Sequence, residues 1–233
     1  MHADSTSQLP LGIRLDDEAT FSNFLVSPGN KHPFEVLTGF QLPAQLIYLW
    51  GAKGSGRSHL LQALCHRYAE SGAPALYLPL LERKGFTPQI LEHSCALSVI
   101  CLDDIDAVAK DSVWQEGIFH AVNEAAESNV LFVVASSCAP RDLPFSLDDL
   151  VSRMQTGLAF QIQAADDAFK KQVLQHRARL RGMALSDQVS DYILQRADRS
   201  LVGLIKVLER LDAESFQRQR RLTVPLVKDV MGW

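Results

Sequence analysis

Leu46-Ile-Tyr-Leu-Trp50, then Gly51-Ala-Lys-Gly-Ser-Gly56, then Arg57-Ser58-His59-Leu60, is the stretch on which the fold turns. Five large apolar residues in a row read as a strand covered on both faces. The glycines that follow let a loop fold tightly, with its backbone N–H groups turned toward an anion. Leu60, Leu61, Leu64, Cys65 and Tyr68 then fall at helical spacing, so a helix over 57–70 aims the positive end of its dipole at the same point. The loop fits the phosphate-binding pattern G-x-x-x-x-G-K-[ST] at every fixed position but one, where Arg57 replaces lysine. Arginine keeps the charge but is longer and wider, so anion binding is expected to survive the change better than turnover. Ser58 is placed to ligate Mg²⁺. The unadorned alternative is a glycine-rich turn with no ligand.

Outward from this loop, four more apolar runs recur at 75–80, 97–102, 130–135 and 158–162, with an amphipathic stretch at 112–127 carrying Trp114, Ile118, Phe119 and Val122. Alternating strands and helices define an α/β fold with a five-stranded parallel sheet between helices. After Gln163 the pattern becomes helical only, at 167–181, 187–197, 200–217 and a short run after Thr223, which predicts a small all-helical lid. The third run ends in Asp103-Asp104. A carboxylate at the C-terminal end of a buried strand is where the water shell of Mg²⁺ is anchored, so Asp103 is the metal-side candidate. Asp104 stands where many ATPases carry the glutamate that orients the attacking water, one methylene shorter. Both can also be read as an ordinary acidic strand end, a reading that suits Asp106 better.

The chain has 233 residues, 47% apolar and 21% charged, which excludes a disordered or fibrous chain. Its 23 basic and 27 acidic residues give a net −4, against a broad nucleic-acid-coating surface. Residues 1–165 carry 10 basic and 18 acidic residues, while 166–233 carry 13 and 9, so the lid is a separate basic unit. Cys65, Cys95, Cys101 and Cys138 lack C-x-x-C spacing and are expected as reduced thiols without zinc. With no long apolar span and an acidic start, the expectation is a cytoplasmic protein without a membrane segment. Residues 1–20, polar and aperiodic, read as a flexible arm. The expected division is an arm at 1–18, a nucleotide-binding α/β domain at 19–163 and the lid at 164–233.

GAKGSGRSHLLQA (51–63), CLDDIDAV (101–108), the strand ending in Ser136-Ser137 and DDLVSRMQTGLAFQI (148–162) together resemble the AAA+ module of the bacterial replication initiator DnaA. The resemblance covers about residues 19–231 and implies an AAA+ P-loop fold. It implies nucleotide contacts from Gly51, Ala52, Lys53, Gly54, Ser55, Gly56, Arg57, Ser58 and His59, with Ser136 as a polar sensor. TFSNFLVSPGN (20–30) is similar to the initiators' T-F-x-N-F segment, which implies that Phe21, Phe24 and Val26 cradle the base. Arg153 matches the arginine that AAA+ proteins project toward the nucleotide of a neighbouring subunit; the alternative is a salt bridge to Asp148 or Asp149. The chain ends one short helix after the lid, where initiators continue into a helix-turn-helix domain, so no dedicated DNA-binding domain is expected.

Arg57 and the segment Gln8-Leu9-Pro10-Leu11-Gly12-Ile13 are similar to the Hda group of initiator homologues, which act with the DNA polymerase sliding clamp to inactivate ATP-bound DnaA. The arm's own chemistry agrees: an extended peptide with Gln8, Leu9, Leu11 and Ile13 as anchors can fill a hydrophobic groove. The sensor arginine of R-S-x-V-R is absent, since that register reads Arg199-Ser-Leu-Val-Gly203, with Lys206 the nearest substitute. These departures imply poor self-catalysed hydrolysis and a nucleoside diphosphate, ADP foremost, held with Mg²⁺. The expected function is a nucleotide-bound regulator that stimulates hydrolysis of DnaA-bound ATP with the clamp, and a homodimer stays open. A helicase-loader-like ATPase binding single-stranded DNA is the alternative, and a small-molecule P-loop kinase a third.

Overall fold

The computed structural model describes residues 15–39, 45–218 and 221–233. The arm anchors Gln8, Leu9, Leu11 and Ile13 lie outside the described residues. The elements run α1 (Lys31–Thr38), β1 (Leu46–Trp50), α2 (Arg57–Glu70), β2 (Ala75–Pro79), β3 (Val99–Asp103), α3 (Ser112–Glu127), β4 (Leu131–Ser136), α4 (Asp148–Thr156), β5 (Leu158–Gln161), α5 (Asp167–Leu180), α6 (Asp187–Arg196), α7 (Leu201–Arg218) and α8 (Val224–Met231).

The five strands pair in parallel in the order β2-β3-β4-β1-β5. Every residue of β3 and β4 is buried, as continuous apolar runs in a sheet covered on both faces require. On one face, Trp114, Ile118 and Val122 of α3 and Leu150 and Met154 of α4 pack on Tyr48, Ile100, Leu102, Phe132 and Val134. On the other, Leu37 of α1 and Leu60, Leu61 and Leu64 of α2 pack on Ile47, Leu49, Cys101 and Val133. The side chains alternate between faces along each strand, and each full burial of a Leu, Ile or Val contributes about 1.5–3 kcal/mol.

α5 to α8 form their own core from Leu174, Ala178, Ile193, Leu204, Leu208, Leu211 and Val227. Asp166, Ser186 and Thr223 cap α5, α6 and α8 by accepting backbone N–H bonds, each worth about 1 kcal/mol. Leu180, at the end of α5, is 52% exposed. Among the described residues, no helix is long and apolar enough to cross a membrane, and all four cysteines are free.

The expected arm ends earlier than its composition suggested. Leu15 packs against the α2 face of the sheet. The Asp16 N–H donates to Gln62 Oε1 at 2.8 Å, and His66 Nε2 bonds the Asp16 carbonyl at 2.9 Å. Glu18 accepts from Arg177 at both its carbonyl (3.1 Å) and its carboxylate (2.5 Å), and from Arg181 at 2.5 and 3.1 Å. Partners from α2 and α5 thus supply the ordering that the segment's own apolar content could not. Residues 15–20 form a strap between sheet domain and lid.

Candidate nucleotide-binding site

The strand order lines up the chemistry along one edge. β4 lies between β1 and β3, so Ser136 at its end sits between the glycine loop after β1 and the Asp103-Asp104 end of β3, with Trp50 and Ser136 in register. The Gly51 N–H donates to the Ser136 carbonyl at 3.2 Å, tying the loop to the middle strand. A Cβ at Gly51 would lie 2.3 Å from the Ile162 carbonyl oxygen, and one at Gly56, where φ is +102°, would lie 2.8 Å from the Phe24 ring. Both positions therefore demand glycine.

α2 opens directly from Gly56 with no capping side chain, unlike α3, α5, α6 and α8. Its first N–H groups keep their bonding capacity for an anion. Inside the loop, Ser55 Oγ and Arg57 Nη1 are buried without a hydrogen-bond partner. A buried guanidinium N–H left unpaired is costly, and phosphate oxygens at this helix start would satisfy it. The residues fit a nucleotide's phosphates.

Arg57 is 6% exposed, and its other terminal nitrogen, Nη2, pairs with Asp104 Oδ1 at 3.2 Å. The two residues expected to serve phosphate and water are thereby joined to each other. Asp104 holds a left-handed backbone at φ 51°. Burial and the adjacent Asp103 carboxylate push its carboxyl up to about 6, against the pull of Arg57. Asp103 is 2% exposed. Its Oδ1 accepts the Asp104 N–H at 3.0 Å and its Oδ2 accepts the Tyr77 hydroxyl at 2.9 Å. Among the described residues no group of three or more His, Cys, Asp or Glu side chains could hold a metal. A hard cation here would need phosphate oxygens and water to complete its shell, as Mg²⁺ commonly does, and a buried carboxylate beside the phosphate loop fits that arrangement.

Ser136 is buried, and its hydroxyl donates to Asp106 Oδ1 at 3.0 Å; the Ser137 hydroxyl and N–H also bond that carboxylate. Burial works to raise Asp106, yet the bonds from Ser137 and Ser136 hold it below the ordinary carboxylate range. Asp106, read from sequence as an ordinary strand-end acid, is the anchor of the polar β4 end. Ala52 and Lys53 are exposed on the loop.

Phe24 stacks on Phe34 with ring centroids 5.7 Å apart, and Phe21 meets Phe34 edge-on at the same separation. His59 Nε2 bonds the Thr20 carbonyl at 2.7 Å, and burial lowers its pKa, so the ring is a neutral donor there. Asn30 clamps the backbone of Gln163, just past β5, with two bonds, 2.8 and 3.0 Å, which hold the end of the 20–30 segment; Val26 is half-buried within that segment. Phe21, Phe24 and His59 thus come together beside Gly56, in an aromatic cluster that α1 completes.

Arg153 is elsewhere. With Leu46, Phe132 and Gly157 it lines a cavity of about 190 Å³ at the opening ends of the strands. That is a strand's length, about 16 Å, from the glycine loop at their closing ends. It forms no ion pair with Asp148 or Asp149 among the described residues. In the lid, a Cβ at Gly203 would lie 2.9–3.1 Å from the Asp198 side chain, which bonds Ser200 at the start of α7. Asp198 occupies the space where the first atoms of an arginine at 203 would go. Sequence reasoning missed Tyr77, Glu18 and Asn30. Tyr77 was an apolar strand member, Glu18 a polar tail residue, and only Asn30 stood within a quoted segment.

A parallel β2-β3-β4-β1-β5 sheet with a glycine loop after β1, an acidic β3 end, a polar β4 end and a helical lid defines an AAA+ module. A family model described as the bacterial DnaA ATPase domain matches residues 15–161, and one described as the Hda lid domain matches 167–231. The chain belongs to the DnaA ATPase family and carries a lid of the Hda type. Domain III of the Thermotoga maritima replication initiation protein DnaA superposes with a TM-score of 0.77 at 22% identity, covering 94% of this chain and 98% of that one. AMPPCP-bound DnaA from Aquifex aeolicus gives 0.69 at 25% identity, over 88% of this chain and 69% of that one. A Thermotoga maritima RuvB Holliday junction branch migration motor shares the fold at 16% identity, with a TM-score of 0.58 over 80% of this chain and 60% of its own.

Proposed function

We propose that this chain is a nucleotide-holding regulator of replication initiation that, with the DNA-loaded sliding clamp, supplies Arg153 in trans to the ATP of DnaA and so switches the initiator off. The observation that carries this reading is the position of Arg153, half-exposed on α4 at the opposite end of the sheet from the chain's own phosphate loop and free of Asp148 and Asp149. An arginine there cannot reach this chain's nucleotide but can reach a neighbour's. A guanidinium stabilises charge that develops on a transferring phosphoryl group, and such trans-acting arginines contribute about 10³–10⁵ in rate.

The chain's own site is the nucleotide-holding half of the proposal. The loop from Gly51 to His59 would cradle the phosphates of ADP, Phe21, Phe24 and Val26 the base, and Ser58 with Asp103 the Mg²⁺. The Arg57–Asp104 pair occupies the residue that would orient the attacking water, and the arginine at 203 is missing, so hydrolysis by the chain alone is expected to be very slow.

The test is conversion of DnaA-bound ATP to ADP in the presence of clamp on DNA. Wild-type chain should accelerate it, Arg153→Ala should remove the acceleration while leaving ADP and clamp binding intact, and Arg153→Lys should rescue poorly because a point charge lacks the planar fork. Undiminished stimulation by Arg153→Ala would defeat the proposal.

A further inference from the structure

The two adjacent carboxylates at the end of β3 are held in opposite ways. Asp104 is met by a cation, the Arg57 guanidinium. Asp103, 2% exposed, has no Lys, Arg or His within ion-pair reach among the described residues, and both its oxygens are held by neutral donors instead. One donor is the Asp104 backbone N–H, which any residue at 104 would supply. The other is the phenol of Tyr77, a partly buried residue of the neighbouring strand β2, at 2.9 Å.

A neutral donor fixes the direction of a carboxylate without cancelling its charge. The phenol is itself directed: Gln62 Nε2 of α2 reaches its oxygen at 3.5 Å, the outer limit of a hydrogen bond, so the single hydroxyl proton points to Asp103. Each carboxylate oxygen has two lone-pair sites and uses one, which leaves a second site on each oxygen of a side chain held at both.

We propose that Tyr77 is a positioning residue for the divalent cation that accompanies the nucleotide, acting by locking the Asp103 carboxylate in the orientation the cation's water shell meets. This rests on the nucleotide and Mg²⁺ reading of the site given above. Hydrogen-bond partners of metal-holding side chains typically change metal affinity about 10–100-fold when removed.

The experiment compares full-length wild type, Tyr77→Phe and Asp103→Asn by titrating fluorescent ADP in EDTA and at a series of Mg²⁺ concentrations. Tyr77→Phe keeps the ring, and thermal melts without nucleotide report on its fold. In EDTA, wild type and Tyr77→Phe should bind ADP equally. The Mg²⁺ concentration giving half of the affinity gain should rise about tenfold or more in Tyr77→Phe, and Asp103→Asn should lose the gain altogether. An unchanged Mg²⁺ midpoint in Tyr77→Phe overturns the proposal, as does a loss of ADP affinity equal in EDTA and Mg²⁺, which would mark a packing role only. If wild type itself binds ADP no better with Mg²⁺ than with EDTA, the cation reading of the site falls and the proposal with it.

Discussion

Asp104 competes with phosphate for the same guanidinium. Arg57 has one nitrogen on the carboxylate and one unpaired, so a nucleotide must draw the side chain away from Asp104 or share it. Asp104→Asn removes the competing charge, and ADP should bind about tenfold more tightly, on the scale of one charge-assisted hydrogen bond. The same event can be driven by acid. Because the Asp104 carboxyl is pushed up to about 6, it is ionised at pH 7.5 and becomes neutral as pH falls through that value. The affinity difference between wild type and Asp104→Asn should therefore be widest at pH 7.5 and close by pH 5. Comparing the two proteins at each pH cancels the titration of the phosphate itself. A gap of constant width would show that the pair does not govern binding.

At the scale of elements, the strap at residues 15–20 joins α2 to α5, and its strongest link is Glu18 with Arg177 and Arg181. Arg177 is almost fully buried, so Glu18→Gln leaves its charge uncompensated. The exposure of the carboxylate, 38%, tempers the loss, which should be about 1–2 kcal/mol, read as a lower urea midpoint at unchanged slope. The helices and strands themselves were legible from sequence because each is a local pattern: the run at 46–50, the helix at 57–70 and the helix at 112–127 reappear with the same bounds. The strap was not, because the groups that order it lie as far as 163 residues away in the chain. α1 and α4 escaped notice for a different reason. Each spans only two or three turns with two buried residues, too few to set a period.

For the whole molecule, the decisive feature is that the two proposed functions sit at opposite ends of one sheet. The closing ends gather the glycine loop, Asp103 and Ser136, all legible as motifs. The opening ends carry Arg153, whose candidacy came from a resemblance and whose remoteness from the loop only the strand order reveals. Under the proposed function, a molecule so arranged has to be brought to its target. The proposed tether is the segment Gln8-Leu9-Pro10-Leu11-Gly12-Ile13, which leads into the strap. Gln8→Ala with Leu11→Ala removes one polar and one apolar anchor and should weaken clamp binding at least a hundredfold, on the scale of about 3 kcal/mol, with an unchanged circular dichroism spectrum. Equal pull-down of clamp by wild type and double variant would refute the tether.

Gly203 constrains the order in which the lid can be changed. With Asp198 2.9–3.1 Å from where its Cβ would stand, an arginine cannot simply be placed there by one substitution. The first turn of α7 would have to move, or residue 198 would have to shrink beforehand. Order therefore matters: Asp198→Gly followed by Gly203→Arg is an open path, and the reverse order passes through a strained lid. The two substitutions should show favourable coupling in a double-mutant cycle of lid stability. An arginine at 203 is thus open to the lid only in one order of substitution, with residue 198 cleared first.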